Sequence, residues 1–184
     1  MTDGIATMRE KRVMPGLVLL LGLTVAGPSQ ALENNLQISG TLVTEPCTLD
    51  VNNNTQTVDF GTVIEKGLYK DVRTPGVPFT ISLTDCDISL GKTVNLTLTG
   101  AESTPLPGYL ATTGAGSAGV AIGIESPEGV NQPVNQAMSG LALHNGTTQI
   151  VLQAYVQAGP EAIKNQSLVP GAFSATATID AEYP

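Results

Sequence analysis

The pattern that most constrains this chain is a period-two alternation of apolar and polar residues in several short stretches. The residues between the apolar ones are mostly Thr, Ser, Asn and Gln. An extended stretch of this kind has one face for a core and one face for water, which predicts strands rather than helices. The apolar positions are Leu36 and Ile38; Val77, Phe79, Ile81 and Leu83; Val94, Leu96 and Leu98; Val120, Ile122 and Ile124; and Ile150, Leu152, Ala154 and Val156.

The segments between these stretches contain residues that form turns, such as Thr74-Pro75-Gly76, Pro127 to Gly129 and Asn145-Gly146. Several short strands at this spacing predict an all-β fold, an antiparallel sandwich of immunoglobulin-like type. We find no amphipathic helix of normal length. The sequence predicts a long polar loop over 100–119 and another connection over 158–170.

The two ends of the predicted sandwich are unusual. A last strand alternates from Phe173 to Tyr183 and stops at Pro184, so no further strand follows to pair with it. An extended segment over 32–45 precedes the first cysteine and belongs to no predicted hairpin. The sandwich therefore lacks a strand at its C-terminus and has a spare one at its N-terminus.

The N-terminal residues have the composition of a secretory signal. Basic residues between Met8 and Val13 precede a mostly apolar run over 13–26, and the small residues Ser29 and Ala31 follow. We predict cleavage after Ala31, with Met8 as a possible start of translation. A membrane anchor is the weaker alternative, because it needs about 20 apolar residues.

The predicted mature chain is acidic and has few charges for its length. Over 32–184 there are five basic and 14 acidic residues, a formal net charge of −9. A phosphate backbone would repel such a chain, which argues against a nucleic-acid partner.

The two cysteines, Cys47 and Cys86, both lie in the exported part. An oxidising compartment favours a disulfide between them, which would close a loop of about 40 residues and contribute about 3 to 4 kcal/mol in the chain-entropy model. The alternative is a pair of reduced, buried thiols, which is typical of a cytosolic protein.

At these residues the sequence resembles the pilin subunits of chaperone–usher fimbriae, over essentially the whole predicted mature chain. The resemblance depends on the joint spacing of several motifs rather than on any one of them. They are Gly40 seven residues before the first cysteine, the cysteine pair, the Asp59-Phe60-Gly61 turn after Val58, Gly171 fourteen residues from the end, and Tyr183 next to last.

The resemblance implies an incomplete immunoglobulin-like sandwich that is completed by donor-strand exchange. A periplasmic chaperone supplies the missing strand during folding, and the N-terminal extension of the next subunit replaces it during assembly at an outer-membrane usher. The chain would then be a structural subunit of a fimbria at the cell surface that polymerises with other pilin subunits and supports cell adhesion. It would be no enzyme and would need no cofactor.

The expected organisation is a signal peptide over 1–31, a donor-strand extension over 32–46 and a pilin domain over 47–184. The donor residues are expected to be Leu32, Asn34, Leu36, Ile38 and Gly40. The acceptor groove and chaperone contact are expected at Gly171, Phe173, Ala175, Ala177, Ile179, Tyr183 and Pro184.

Other kinds of site receive little support. The run over 114–119 matches GxGxxG, but a dinucleotide fingerprint needs a strand before it and a helix after it, so a loop is the better interpretation. His144 is the only histidine, which suggests neither a zinc site nor a catalytic triad. Glu125 and Glu128 could in principle form a carboxylate pair, but a solvated loop or strand end is expected.

A fimbrial adhesin or minor tip or adaptor subunit with receptor binding is the alternative function. A tip adhesin of this family usually has a further receptor-binding domain, for which the mature length leaves no room. The chain also has no Trp, the best side chain for stacking on sugars. A secreted hydrolase would need a catalytic constellation that the sequence does not contain.

Overall fold

The computed structural model describes residues 39–40, 42, 44–50 and 56–184. All of its strands and helices lie in the compact unit Leu42–Pro184. They are β1 (Thr48–Leu49), α1 (Glu65–Asp71), β2 (Val77–Cys86), β3 (Thr93–Gly100), β4 (Leu110–Ala111), β5 (Val120–Glu125), β6 (Ala137–Ala142), β7 (Gly146–Ala158), α2 (Pro160–Asn165) and β8 (Ala177–Glu182).

The strands form two antiparallel sheets. One has the order β1-β2-β7-β5-β4 and the other the order β6-β3-β8. The core lies between them and contains fully buried side chains of both, such as Ile81 and Leu83 of β2 and Val94 and Leu96 of β3. The predicted all-β antiparallel fold is confirmed.

The alternating stretches that lie in the described residues form β2, β3, β5 and β7. Phe79 is opposite Leu152 and Ile81 is opposite Ile150 in the β2–β7 ladder, so the predicted apolar positions share the inner face of the sheet. The outer face has the intervening residues, among them Val151. The stretch around Leu36 and Ile38 lies outside the described residues.

Three segments differ from the sequence prediction. The predicted polar loop over 100–119 contains β4, in which Leu110 is buried and pairs with Ile122. The predicted connection over 158–170 contains α2, which has Pro160 at its start. Strand β6 was not predicted at all, because most of its side chains are partly or fully exposed and no alternation marks it.

The outer face of the five-stranded sheet contains an ionic cluster. Both terminal nitrogens of Arg73 donate to the carboxylate of Glu125, at 2.7 and 2.9 Å, and the guanidinium lies 4.0 Å from the centre of the Tyr155 ring. The hydroxyls of Tyr155 and Tyr109 are 3.2 Å apart. Glu125 is only 4 % exposed, so the expectation of a solvated carboxylate was wrong for this residue although it does end a strand.

Candidate functional site: an apolar groove beside the last strand

A groove of about 950 Å³ opens between the two sheets along β8. One wall is formed by residues 168–177 with Ile179 and the other by residues 56–63 with Glu65 and Leu68 of α1. Apolar side chains from both sheets form its floor: Phe79, Leu98, Leu110, Val120, Ile122, Ile124 and Ala154. The core of the sandwich is therefore accessible along this line.

Strand β8 forms the edge of the three-stranded sheet at this groove. It pairs with β3 on one side, and no strand of the described chain pairs with its other side. Phe173, Ala175, Ala177 and Ile179 line the groove and are half-buried. The residues between them are exposed, so the predicted alternation of this segment is present, although regular pairing with β3 begins only at Ala177.

The wall opposite β8 was not identified as groove lining from the sequence. Asp59, Phe60 and Gly61 were singled out only as a turn, and that turn exists, because the Gly61 amide donates to the Asp59 side chain at 2.8 Å. The Phe60 ring lies across the groove from Phe173, with 6.4 Å between ring centres. In the sequence, only the apolar residues Val58 and Val63 could have indicated that this segment lines a groove, and two residues are too few to show an alternation.

Gly171 lies at the end of the groove where the chain approaches β8. A side chain at Gly116 would overlap the Gly171 carbonyl, and one at Gly171 would come within 2.7 Å of the Gly116 backbone nitrogen. The Gly116 amide donates to the Ala172 carbonyl at 2.9 Å. Thr113 and Ser174 exchange two backbone hydrogen bonds, at 2.8 and 2.9 Å. The glycine-rich run over 114–119 is thus a loop that closes one end of the groove, and β5 rather than a helix follows it.

Tyr183 lies at the other end of β8. Its hydroxyl donates to the Cys47 carbonyl at 3.2 Å, which ties the end of β8 to the start of the domain. Burial, with a smaller contribution from the Glu45 carboxylate, raises the pKa of Tyr183 above its usual value. Pro184 is exposed and does not line the groove.

The predicted donor residues Leu32, Asn34, Leu36 and Ile38 lie outside the described residues. Gly40 is described and exposed, with open space where a side chain would be.

The predicted disulfide between Cys47 and Cys86 is present. It joins the residue before β1 to the end of β2 and is buried. The Thr148 hydroxyl lies 3.8 Å from the Cys86 sulfur, so the bond is covered from the side of β7.

The described residues contain no group of three or more His, Cys, Asp or Glu side chains that could hold a metal ion. Within the same part of the chain, no helix has the length and apolar character needed to span a bilayer.

Comparison with known proteins identifies the family. Residues 36–184 match the family described as fimbrial protein. The chain is 35 % identical to the fimbrial-like protein YfcP of Escherichia coli K12, over 91 % of this chain and 94 % of that protein. It is 32 % identical to the fimbrial adapter PapK of Escherichia coli, over 91 % and 97 %, and 30 % identical to the major MR/P fimbria protein of Proteus mirabilis, over 91 % and 95 %.

Among solved structures, the crystal structure of the P pilus rod subunit PapA is similar in fold, with a TM-score of 0.66 and 24 % identity over 76 % of this chain and all of that one. The fold and the match over 36–184 define the class: the chain belongs to the fimbrial protein family. It is a non-enzymatic fimbrial subunit and is located in the pilus at the cell surface.

Proposed function

We propose that this subunit polymerises head to tail, by inserting its own N-terminal extension into the groove of the next subunit and by accepting another extension in its own groove. The donor is the segment 32–46 that precedes the pilin domain 47–184, after removal of a signal peptide over 1–31. The donor side chains are Leu32, Leu36 and Ile38, with Gly40 on the same face of the strand.

The observation that carries this proposal is the open groove beside the unpaired side of β8. An exposed apolar floor and a row of unpaired backbone groups are both unfavourable in water and invite aggregation. One added strand corrects both, because its backbone pairs with β8 and its alternate side chains cover the floor. The half-buried groove residues Ala175, Ala177 and Ile179 fit such a strand, since two of the three are small and leave room for larger donor side chains.

The expected gain is comparable to the stability of a whole domain. Three buried large side chains contribute on the order of 5 to 9 kcal/mol, before ladder hydrogen bonds and ordering costs. Because each subunit gives one strand and accepts one, the contact uses two different surfaces and does not close on itself, which builds a fibre.

The same exposed groove requires protection before assembly. We propose that a periplasmic chaperone occupies it in the unassembled subunit, contacting Phe173 to Tyr183, and that the carboxylate of Pro184 is held by basic residues of that chaperone. An outer-membrane usher would then be the site at which the donor strand replaces the chaperone.

The test is a pair of substitutions on opposite faces of the donor strand. Leu36→Asp places a charge on the face that enters the groove, whereas the control Gln37→Asp places the same charge on the other face. The full chain is expressed in cells that assemble it, and fibres are counted by electron microscopy and by multimers that resist SDS without heating. We expect Leu36→Asp to abolish fibres while soluble chaperone-bound subunit persists, and Gln37→Asp to assemble normally. Equal fibre yields from the two variants would show that the donor assignment is wrong.

A further inference from the structure

The domain has two poles, defined by the direction of its long strands. Strand β2 runs from Val77 to Cys86, about 30 Å at the usual rise per residue. We call the pole at the Cys86 end the base and the pole at the Val77 end the head. Strand β8 runs the same way, from Gly171 at the head towards Tyr183, which contacts Cys47 at the base.

The base contains the point at which the N-terminal extension joins the domain. The turn over 87–92 packs beside this junction, since the Asp87 amide donates to the Pro46 carbonyl at 2.7 Å and Gly91 lies against the Pro46 ring. Leu90, in this turn, is 54 % exposed.

The head is built from α1, α2 and the segment after α2. The Leu168 amide donates to the Tyr69 hydroxyl of α1 at 3.0 Å, and Gly119 lies against Ala162 and Leu168. Next to the buried Leu168, Val169 is 48 % exposed and lines the end of the groove. Leu90 at the base and Val169 at the head are therefore exposed aliphatic side chains close to the proposed donor-strand contact.

The direction of the added strand brings these two poles together. Every ladder in both sheets is antiparallel, and a strand that continued the sandwich after β8 would be antiparallel to it. A donor in that direction runs from the base to the head of the acceptor. Its C-terminal end, which joins the donor's own base at Pro46, therefore emerges beside Gly171 and Val169 of the acceptor.

The two poles also differ in charge. The base has the exposed acidic residues Glu45, Asp85 and Asp87 near the junction and one exposed basic residue, Lys92, in the turn over 87–92. The head has Lys66, Lys70 and Lys164, all exposed, which are three of the five basic residues of the described chain. Lys70 and Lys164 each lie 3.8 Å from an acidic neighbour, so the head is mixed in charge, whereas acidic residues outnumber basic ones at the base.

We infer that the base of one copy of this chain docks on the head of the next, with Leu90 against Val169, as a second contact between subunits in addition to the donor strand. This inference rests on the proposed head-to-tail polymerisation. It adds to the donor-strand contact a second surface at which successive subunits touch. The contact limits bending at the junction, because a single strand followed by a short connection would otherwise act as a hinge.

A crosslink tests the contact directly. The full chain with both Leu90→Cys and Val169→Cys is assembled in cells, and the sheared fibres are oxidised and then boiled in SDS without reductant. Within one subunit the two positions lie at opposite poles, far beyond the roughly 7 Å between Cα atoms that a disulfide can span. The control pair is Val151→Cys with Val169→Cys, because Val151 is 43 % exposed but lies on the outer face of β7.

We expect a ladder of covalent multimers from the first pair and only monomer from the control. Monomer alone from the first pair, with SDS-resistant multimers still present before boiling, would overturn the base-to-head contact while leaving donor-strand exchange intact. An absence of SDS-resistant multimers in the unsubstituted chain would instead overturn the proposed function, and this inference with it.

Discussion

The two edges of the three-stranded sheet differ in regularity. At one edge, β6 pairs with β3 with a register shift between Val94 and Leu96, and Gly140 has a φ of +70°. The Gly140 amide turns to the side chain of Asn95, to which it donates at 3.0 Å. At the other edge, β8 pairs with β3 over six consecutive positions without any shift.

This difference indicates which edge is suited to accept another strand. A bulge twists an edge and removes its regular row of donors and acceptors, which is a common way to prevent unwanted pairing. A straight edge beside an open apolar groove keeps its regular row of donors and acceptors, so it can pair with an added strand. The sheet is therefore protected at β6 and available at β8.

The largest effect is expected in the groove wall at β8. Ile179→Asp places a carboxylate where the donor strand would bury it without a partner, a cost of several kcal/mol that corresponds to a loss of assembly of more than about 100-fold. The control is Thr178→Asp, one residue away on the exposed face of the same strand. Fibre yield by electron microscopy is the measurement, and equal yields from the two variants would contradict the assignment of β8 as the accepting edge.

A smaller effect is expected where the loop over 114–119 closes the groove. Gly116→Ala forces a methyl group against the Gly171 carbonyl, and overpacking of this kind costs about 1 to 3 kcal/mol. Gly67→Ala is the matched control, since Gly67 has open space at this position and lies in α1. The free energy of unfolding would be measured by denaturant titration of the subunit bound to a peptide of residues 32–44. An unchanged free energy of unfolding in Gly116→Ala would contradict the close approach of Gly116 to the Gly171 carbonyl.

Alkaline pH should weaken the five-stranded sheet, against which the three-stranded sheet packs. Burial, assisted by the Tyr109 hydroxyl, raises the pKa of Tyr155 to about 12. The folded state thus holds this proton more tightly than the unfolded state, whose pKa is near 10. The stabilisation is complete below pH 10 and is lost as pH rises from 10 to about 12, a fall of up to about 2 kcal/mol in the free energy of unfolding.

The measurement for Tyr155 is a series of denaturant titrations between pH 9 and 12. Tyr155→Phe should lower the slope over this range, and the raised pKa of Tyr183 should account for part of the slope that remains. A slope in Tyr155→Phe equal to that of the unsubstituted chain would show that other groups are responsible.

The smallest effect is expected at the protected edge. Asn95→Ala removes the side chain that accepts from the Gly140 amide, and an exposed hydrogen bond of this kind contributes about 1 kcal/mol. The free energy of unfolding should fall by that amount while fibre yield stays normal, because the proposed donor strand pairs with β8 and not with β6. A drop in fibre yield as large as that of Ile179→Asp would remove the distinction between the edges.

The edge strand β8 could be anticipated from the sequence, and the edge strand β6 could not. Phe173 to Tyr183 alternate strictly because one face of this segment covers a core. Strand β6 has exposed side chains and a bulge, so no period marks it.

The ionic cluster was missed for a different reason. Glu125 ends a predicted strand near Glu128, and its partner Arg73 lies 52 residues earlier. Only the pairing of β5 with β7, together with the Arg73–Gln157 bridge, brings these side chains together. The second wall of the groove was missed for the same reason, since Phe60 meets Phe173 only across the fold.

The disulfide also has a mechanical consequence. In a fibre built by the proposed donor-strand exchange, tension would enter each subunit through the extension and reach the domain at Cys47. The next strand, β1, has only two residues and would peel away easily, and the groove wall over 56–63 would follow it. The covalent link to Cys86 instead transfers the load to β2, whose ladder with β7 is among the longest in the molecule. The groove wall over 56–63 thus keeps its place under tension, because it lies outside the path of the force that enters at Cys47.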